Sequence, residues 1–238
     1  MKPHQPPKLW AIIPAAGSGS RFSSHELKQY QRIQSKTVLE HTVNQINLLD
    51  LAGCVLVVSE QDTFARTLTF DHPEKIHFCT GGKERVDSVR NGLDYLLSIA
   101  SEDDWVMVHD AARPCVHLSS LQCLSTTAIA QNKSAILATP VRDTLKKSFA
   151  NQNYIEKTVN RDQLWQAQTP QISKIGLLKY AIDHALSLDN IAITDEASAL
   201  EVIHETVLMI PGRADNIKIT YPDDLILAKF ILASQHEQ

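Results

Sequence analysis

The feature that most constrains this chain is an alternation. Through the first two-thirds of the sequence, short β-branched apolar runs alternate with longer stretches of helical period. The runs fall at 9–14, 54–59, 75–79, 105–109 and 134–138. Strands separated by a helix-length crossover run parallel, because a parallel return cannot be made by a tight turn. Their near-continuous apolar composition predicts that several are covered on both faces. Between them Val38, Leu39, Val43, Ile46 and Leu49 recur at helical spacing, and Thr37 with Glu40 three residues on forms a capping box. Val86, Val89, Leu93 and Leu96 mark a second amphipathic helix. Pro222 followed by Asp223 and Asp224 starts a last helix that runs through 228–233, with proline and carboxylates favoured in the first turn.

These patterns predict an α/β fold: a Rossmann-like, three-layer, mostly parallel twisted sheet flanked by helices. One segment breaks the rhythm. Val141, Asp143 and Leu145 alternate, 150–153 offers a polar turn, and 154–159 resumes extended character. The expected element is a β-hairpin arm over about 141–168 that projects from the sheet. Such an arm has too little apolar surface to stand alone, so a second subunit is its natural support and a homodimer is expected. With 238 residues, 43% of them hydrophobic, and no internal repeat, residues 1–238 are read as a single domain carrying that arm.

A formal net charge of −4 provides no chain-wide basic field, which argues against non-specific nucleic-acid binding. The proline-rich, polar start at 1–8 leads into only a short apolar run, so neither a signal peptide nor a membrane span fits. Cys54, Cys79, Cys115 and Cys123 are widely spaced, form no CxxC pair and sit beside apolar residues. They read as reduced, mostly buried thiols of a cytoplasmic protein. The histidines show no zinc-ligand spacing.

The first strand runs directly into Pro14-Ala15-Ala16-Gly17-Ser18-Gly19-Ser20-Arg21-Phe22, at the edge where an α/β sheet places its ligand crevice. Small residues there let the backbone approach a phosphate chain. A Walker loop is excluded because no Gly-Lys-Ser/Thr follows, and Phe22 stands where a dinucleotide fingerprint requires a small residue. What remains is a glycine loop ending in a cation. Arg21 and Lys28 read either as charge for a triphosphate, with a mobile lid between them, or as two solvated cations beside a turn.

Pro14-Ala15-Ala16-Gly17-x-Gly19-x-Arg21 followed by Lys28-Gln29-Tyr30 resembles the opening signature of the methylerythritol phosphate cytidylyltransferases, a group within the sugar-nucleotidyltransferase fold. Four further stretches match in order, beginning with Gly81-Gly82-Lys83-Glu84-Arg85-Val86-Asp87-Ser88-Val89 and Val108-His109-Asp110-Ala111-Ala112-Arg113-Pro114. Pro140-Val141-Arg142-Asp143-Thr144 and Gly212-Arg213-Ala214-Asp215-Asn216-Ile217-Lys218 follow. With 165–171 and Thr194-Asp195-Glu196-Ala197, the resemblance spans nearly the whole chain. Leu27 stands where proline is frequent in the family, and Phe22 where methionine is usual; neither change removes a charged group.

The resemblance implies transfer of CMP from CTP to 2-C-methyl-D-erythritol 4-phosphate, with pyrophosphate leaving. It implies Arg21 and Lys28 on the triphosphate, and Arg161 and Lys218 positioning the acceptor phosphate. Ala15, Ala16, Gly17 and Gly19 would cradle phosphates, while Gly81, Gly82 and Ser88 would read the cytosine edge; Gly81-Gly82 is equally a tight turn opening a helix. Asp110, at the end of an apolar strand, reads as a hard ligand for Mg²⁺ or as a turn cap, and Asp215 as a second carboxylate near the metal. Ala111, Arg113 and Thr144 would line the acceptor pocket. If the arm crosses to a partner chain, Thr144 and Arg161 serve the neighbour's site. Ribitol 5-phosphate is the rival acceptor, and a non-catalytic nucleotide-binding module the rival class.

Overall fold

The chain begins with β1 (Leu9–Pro14), a minor antiparallel pair β2 (Arg32–Ile33) and β3 (Lys36–Thr37), and α1 (Val38–Ile46). Then come β4 (Gly53–Val58), β5 (Ile76–Thr80), α2 (Arg85–Leu97) and β6 (Trp105–Val108). The second half opens with α3 (Leu118–Gln131), β7 (Ala135–Pro140), β8 (Leu145–Ser148) and β9 (Ile155–Val159). It closes with β10 (Trp165–Lys174), α4 (Ile175–Leu186), α5 (Glu196–Val202), β11 (Leu208–Pro211) and α6 (Pro222–His236). The structure, a computed structural model, describes residues 6–17, 22, 27–189 and 191–236.

Seven strands form one sheet in the order β11-β7-β10-β6-β1-β4-β5. All neighbouring pairs are parallel except those made by β10, which runs antiparallel to both β6 and β7. The apolar runs divide by alternate residues between two cores, as the period of a strand requires. Ala11, Ile13, Cys54, Leu56, Trp105 and Met107 face the layer of α1 and α3. Trp10, Ile12, Val55, Val57, Val106 and Val108 face α2, α4 and α5. Helices thus cover both faces, and the expected three-layer, mostly parallel architecture is the observed one. Each aliphatic side chain fully buried in these cores contributes roughly 1.5–3 kcal/mol.

Local signals sit where the sequence placed them. Thr37 caps α1 reciprocally with Glu40: the Glu40 amide donates to Thr37 Oγ1 at 3.2 Å, and the Thr37 amide donates to Glu40 Oε2 at 2.6 Å. The segment 141–168 does contain a hairpin, β8 paired antiparallel with β9 in a separate two-stranded sheet, but Trp165–Gln168 already belong to β10 of the main sheet. Cys54 and Cys115 are buried and all four thiols are free, whereas Cys123 is exposed on α3, so burial is less general than expected. Among the described residues, no helix is long and apolar enough to cross a membrane.

Candidate active site

β1 has β4 on one side and β6 on the other, so the sheet reverses its order between β1 and β6. A crevice opens outside the carboxyl ends of strands at such a switch point. Here it is a cavity of about 320 Å³. Its wall includes Ala15, Ala16 and Gly17 after β1, Lys28 and Gln29, Gly82–Arg85 and Ser88 at the start of α2, Asp110–Ala112 after β6, and Lys218 and Thr220.

The small residues are explained by contact distances. A Cβ on Gly81 would lie 2.4 Å from Ala16 Cβ and 2.9 Å from Ser88 Oγ, and one on Gly82 would lie 2.3 Å from Asp87 Cβ. The Ala16 methyl therefore packs directly on the Gly81 backbone, which leaves no room for a side chain there. Ser88, buried one turn into α2, accepts the Gly82 amide at 3.1 Å and fixes the turn. On the other side Gln29 is buried, and its side-chain amide donates to the Ala15 carbonyl at 3.0 Å. Lys28, next in sequence, is thereby held at the cavity wall. The N-terminus of α2 also opens on the cavity, presenting the positive end of a helix dipole to an anion.

Asp110 is the electrostatic centre. Its carboxylate is buried and receives Arg85 Nε at 3.0 Å, Lys218 Nζ at 2.8 Å and Arg113 Nε at 3.5 Å. Burial opposes the charge, but the Arg85, Lys218 and Arg113 cations outweigh it and hold the carboxyl far below the usual carboxylate range. Arg85 is itself clasped by Glu196, Nη1 to Oε1 at 2.7 Å and Nη2 to Oε2 at 3.2 Å. Burial works against the guanidinium's charge, yet Glu196 and then Asp110 raise its pKa.

The backbone of Asp110 is fixed by a buried chain. Its amide donates to Thr169 Oγ1 at 3.0 Å, and Thr169 lies 3.0 Å from His109 Nδ1. His109 Nε2 lies 3.0 Å from the Arg113 carbonyl. A carbonyl only accepts, so Nε2 carries the proton and Nδ1 accepts from the threonine hydroxyl. Burial pushes the His109 pKa down to about 4, which keeps the ring neutral.

The remaining expected residues divide. Ala111 lines the cavity, whereas Arg113 does not reach its wall and instead donates from Nη1 to the Asn216 carbonyl at 2.7 Å. Burial lowers the Arg113 pKa. Thr144 is exposed at the root of the arm, and Arg161 lies with Arg142 and Trp165 in a separate surface depression; neither reaches the cavity wall of its own chain. Asp215 is bound to Arg213, Nη2 to Oδ2 at 2.6 Å, and does not line the cavity. Gly19 and Arg21 lie outside the described residues. Sequence reasoning assigned no role to Arg85, Gln29 or Glu196. The Gly-Gly-Lys-Glu-Arg run at the start of a helix was the available signal for Arg85.

A metal fits this donor set in one way. Among the described residues no group of three acidic, histidine or cysteine side chains converges. Among the described residues only two carboxylates, Glu84 and Asp110, line the cavity, and Asp110 stands just after β6 at the carboxyl edge of the sheet. That suits Mg²⁺, which keeps several waters and takes its other ligands from substrate phosphates.

A crevice of about 320 Å³ at a sheet switch point, lined by Lys28, Arg85 and Lys218 and by a loop of small residues, suits a nucleotidyltransferase. A family model for 2-C-methyl-D-erythritol 4-phosphate cytidylyltransferase matches residues 9–234. The chain belongs to that family. It is 64% identical over 229 residues to the 2-C-methyl-D-erythritol 4-phosphate cytidylyltransferase of Acinetobacter baumannii (strain ACICU), covering 96% of this chain and 95% of the relative. The Acinetobacter baylyi protein of that name is 61% identical over 239 residues, with 99% of each covered. The crystal structure of the Francisella tularensis enzyme superposes with a TM-score of 0.81 at 36% identity, covering 94% of this chain and 99% of that one.

Proposed function

We propose that this cytidylyltransferase transfers CMP from CTP to 2-C-methyl-D-erythritol 4-phosphate, with the cavity at the β1–β6 switch point as its active site. The observation that carries the siting is the convergence of Ala15–Gly17, Lys28, Asp110 and Lys218 on one cavity. A phosphate oxygen of the acceptor attacks the α-phosphorus of CTP; that P–O bond forms as the bridging P–O bond to the β-phosphate breaks and pyrophosphate leaves. The product is 4-diphosphocytidyl-2-C-methyl-D-erythritol.

The two substrates bring roughly five to six negative charges together, so the protein's task is charge compensation and alignment. Lys28 and Arg21 stabilise charge on the triphosphate, and Lys218 holds the acceptor phosphate. Gly81, Gly82 and Ser88 present backbone and hydroxyl groups to the cytosine edge, where a mismatched base leaves buried polar groups unpaired. Asp110 would hold Mg²⁺, which would supply charge neutralisation for the phosphates.

Arg161 and Thr144 lie away from the cavity of their own chain, which supports delivery to a second copy through the arm. Tyr154, Ile155 and Phe149 leave large apolar surface exposed on that arm, as a homodimer contact requires. Four free thiols support a cytoplasmic location.

Pyrophosphate release with CTP and each acceptor tests the reaction. Turnover is expected with 2-C-methyl-D-erythritol 4-phosphate, and turnover with ribitol 5-phosphate alone would refute the acceptor assignment. Lys28→Ala should cut turnover by at least about 100-fold with the fold intact. Unchanged turnover would remove Lys28 from the mechanism.

A further inference from the structure

Glu196 is 3% exposed and does not line the cavity, yet it takes both terminal nitrogens of a guanidinium that does. Its place is set by the sheet. The Gln171 side chain, on β10, donates to Asp195 Oδ2 at 2.9 Å and accepts the Ala197 amide at 2.8 Å, so the residues on either side of Glu196 are tied to one strand residue. Arg85 is gripped from behind by a rigid carboxylate, and only its Nε is turned to Asp110. A negative charge this close to a polyanion site lowers ligand affinity, and burying it is costly. Its effect must therefore be sought in the geometry of Arg85.

We propose that Glu196 is a positioning residue for nucleotidyl transfer. It holds the Arg85 guanidinium against Asp110, keeps that cation from closing onto the triphosphate, and so keeps Asp110 and the Lys218 ammonium aligned. This role rests on the cavity being the CTP site. Freed from Glu196, Arg85 swings toward the phosphates: nucleotide binds more tightly while the reacting groups lose register.

Glu196→Gln, which keeps shape and one acceptor oxygen, tests it. Relative to wild type, kcat should fall on the order of 10- to 100-fold, as small misalignments do. The Kd of Mg²⁺–CTP by calorimetry, and inhibition by pyrophosphate, should each tighten about threefold or more, as expected when one nearby negative charge is removed. In an Arg85→Gln background the same change should have almost no effect, because Glu196 acts through Arg85. Glu196→Asp, which keeps the charge on a shorter stem, should retain wild-type CTP affinity with an intermediate kcat.

Breaking a buried ion pair lowers the melting temperature in either case, so a merely structural Glu196 is distinguished by weaker CTP binding and by equal losses in both backgrounds. Either of these in Glu196→Gln would overturn the proposal. If that variant does not fold, Glu196→Asp decides alone, and a wild-type kcat there refutes it. Wild-type protein that fails to turn over would sink the reaction assigned above, while the CTP affinities would still decide the role of Glu196.

Discussion

Gly81→Ala adds one methyl group where two loops of the site touch. The new Cβ would sit 2.4 Å from Ala16 Cβ, with Ser88 Oγ at 2.9 Å and Val57 Cγ1 at 3.5 Å. Real carbon contacts are optimal near 3.5–4.0 Å, so relief requires the Ala15–Gly17 loop to move by about 1 Å. Overpacking of this size costs about 1–3 kcal/mol, which for a chain this long lowers Tm by roughly 2–12 °C. A shift of about 1 Å at the phosphate loop should reduce kcat/KM for CTP on the order of 100-fold. The larger part of the clash can be isolated, because the shortest contact is with one methyl group and only the lesser one is with Ser88 Oγ. Ala16→Gly removes that partner, and the double variant Gly81→Ala/Ala16→Gly should recover most of the lost Tm and bring kcat/KM to within about tenfold of wild type. Differential scanning fluorimetry and a pyrophosphate-release assay on the four proteins complete the cycle. Additive losses in the double variant would refute the contact, and an unchanged kcat/KM in Gly81→Ala would show that this loop does not hold the nucleotide.

Removing the charge of Asp110 by Asp110→Asn leaves Arg85, Lys218 and Arg113 facing one another. Stability should fall by about 3–5 kcal/mol, and pyrophosphate should raise the variant's Tm more than it raises that of wild type. His109 predicts acid lability in the substrate-free protein. Its folded pKa of about 4 lies below the unfolded value of 6.5, so the neutral ring contributes fully above pH 6.5 and its contribution is lost as pH falls toward 4. Urea melts of wild type against His109→Gln should differ in pH dependence by about 3 kcal/mol across that window, and parallel curves would refute the assignment. Sedimentation should give a homodimer at micromolar concentration; a fully active monomer would exclude a shared site.

The sheet was legible wherever burial on both faces produced uninterrupted apolar runs, as in β1, β4 and β6. β10 was not legible as a strand, because Gln168, Thr169, Gln171 and Ser173 are buried polar residues in its middle. Each is bonded: Gln168 to the Arg213 carbonyl, Thr169 to His109 and the Asp110 amide, Gln171 to Asp195, and Ser173 to Ser134. Buried polar groups are tolerated once paired, and no local periodicity reports those partners. Arg85 escaped notice for a related reason. Its partners lie 25 and 111 residues away, so the Gly81–Arg85 run at the helix start was the one local signal, and that run does not reveal the carboxylates that hold the guanidinium. Asp110, by contrast, ends an apolar strand, and strand polarity alone places it at the ligand edge.

The cations around Asp110 show how a chain with a net charge of −4 prepares a site for polyanions. Unpaired buried cations would repel one another in the empty enzyme, and a fully neutralised set would attract nothing. Here Arg85, Arg113 and Lys218 are opposed by Asp110 and Glu196, so the cluster keeps a single excess positive charge. The positive potential is small at rest and grows only where a phosphate competes for cations already oriented by the two carboxylates. Orientation is thus established before binding, and the substrate meets an aligned set of charges rather than ordering flexible side chains itself. On this reasoning the two buried carboxylates differ in kind: Asp110 exchanges partners with the ligand, whereas Glu196 keeps its own.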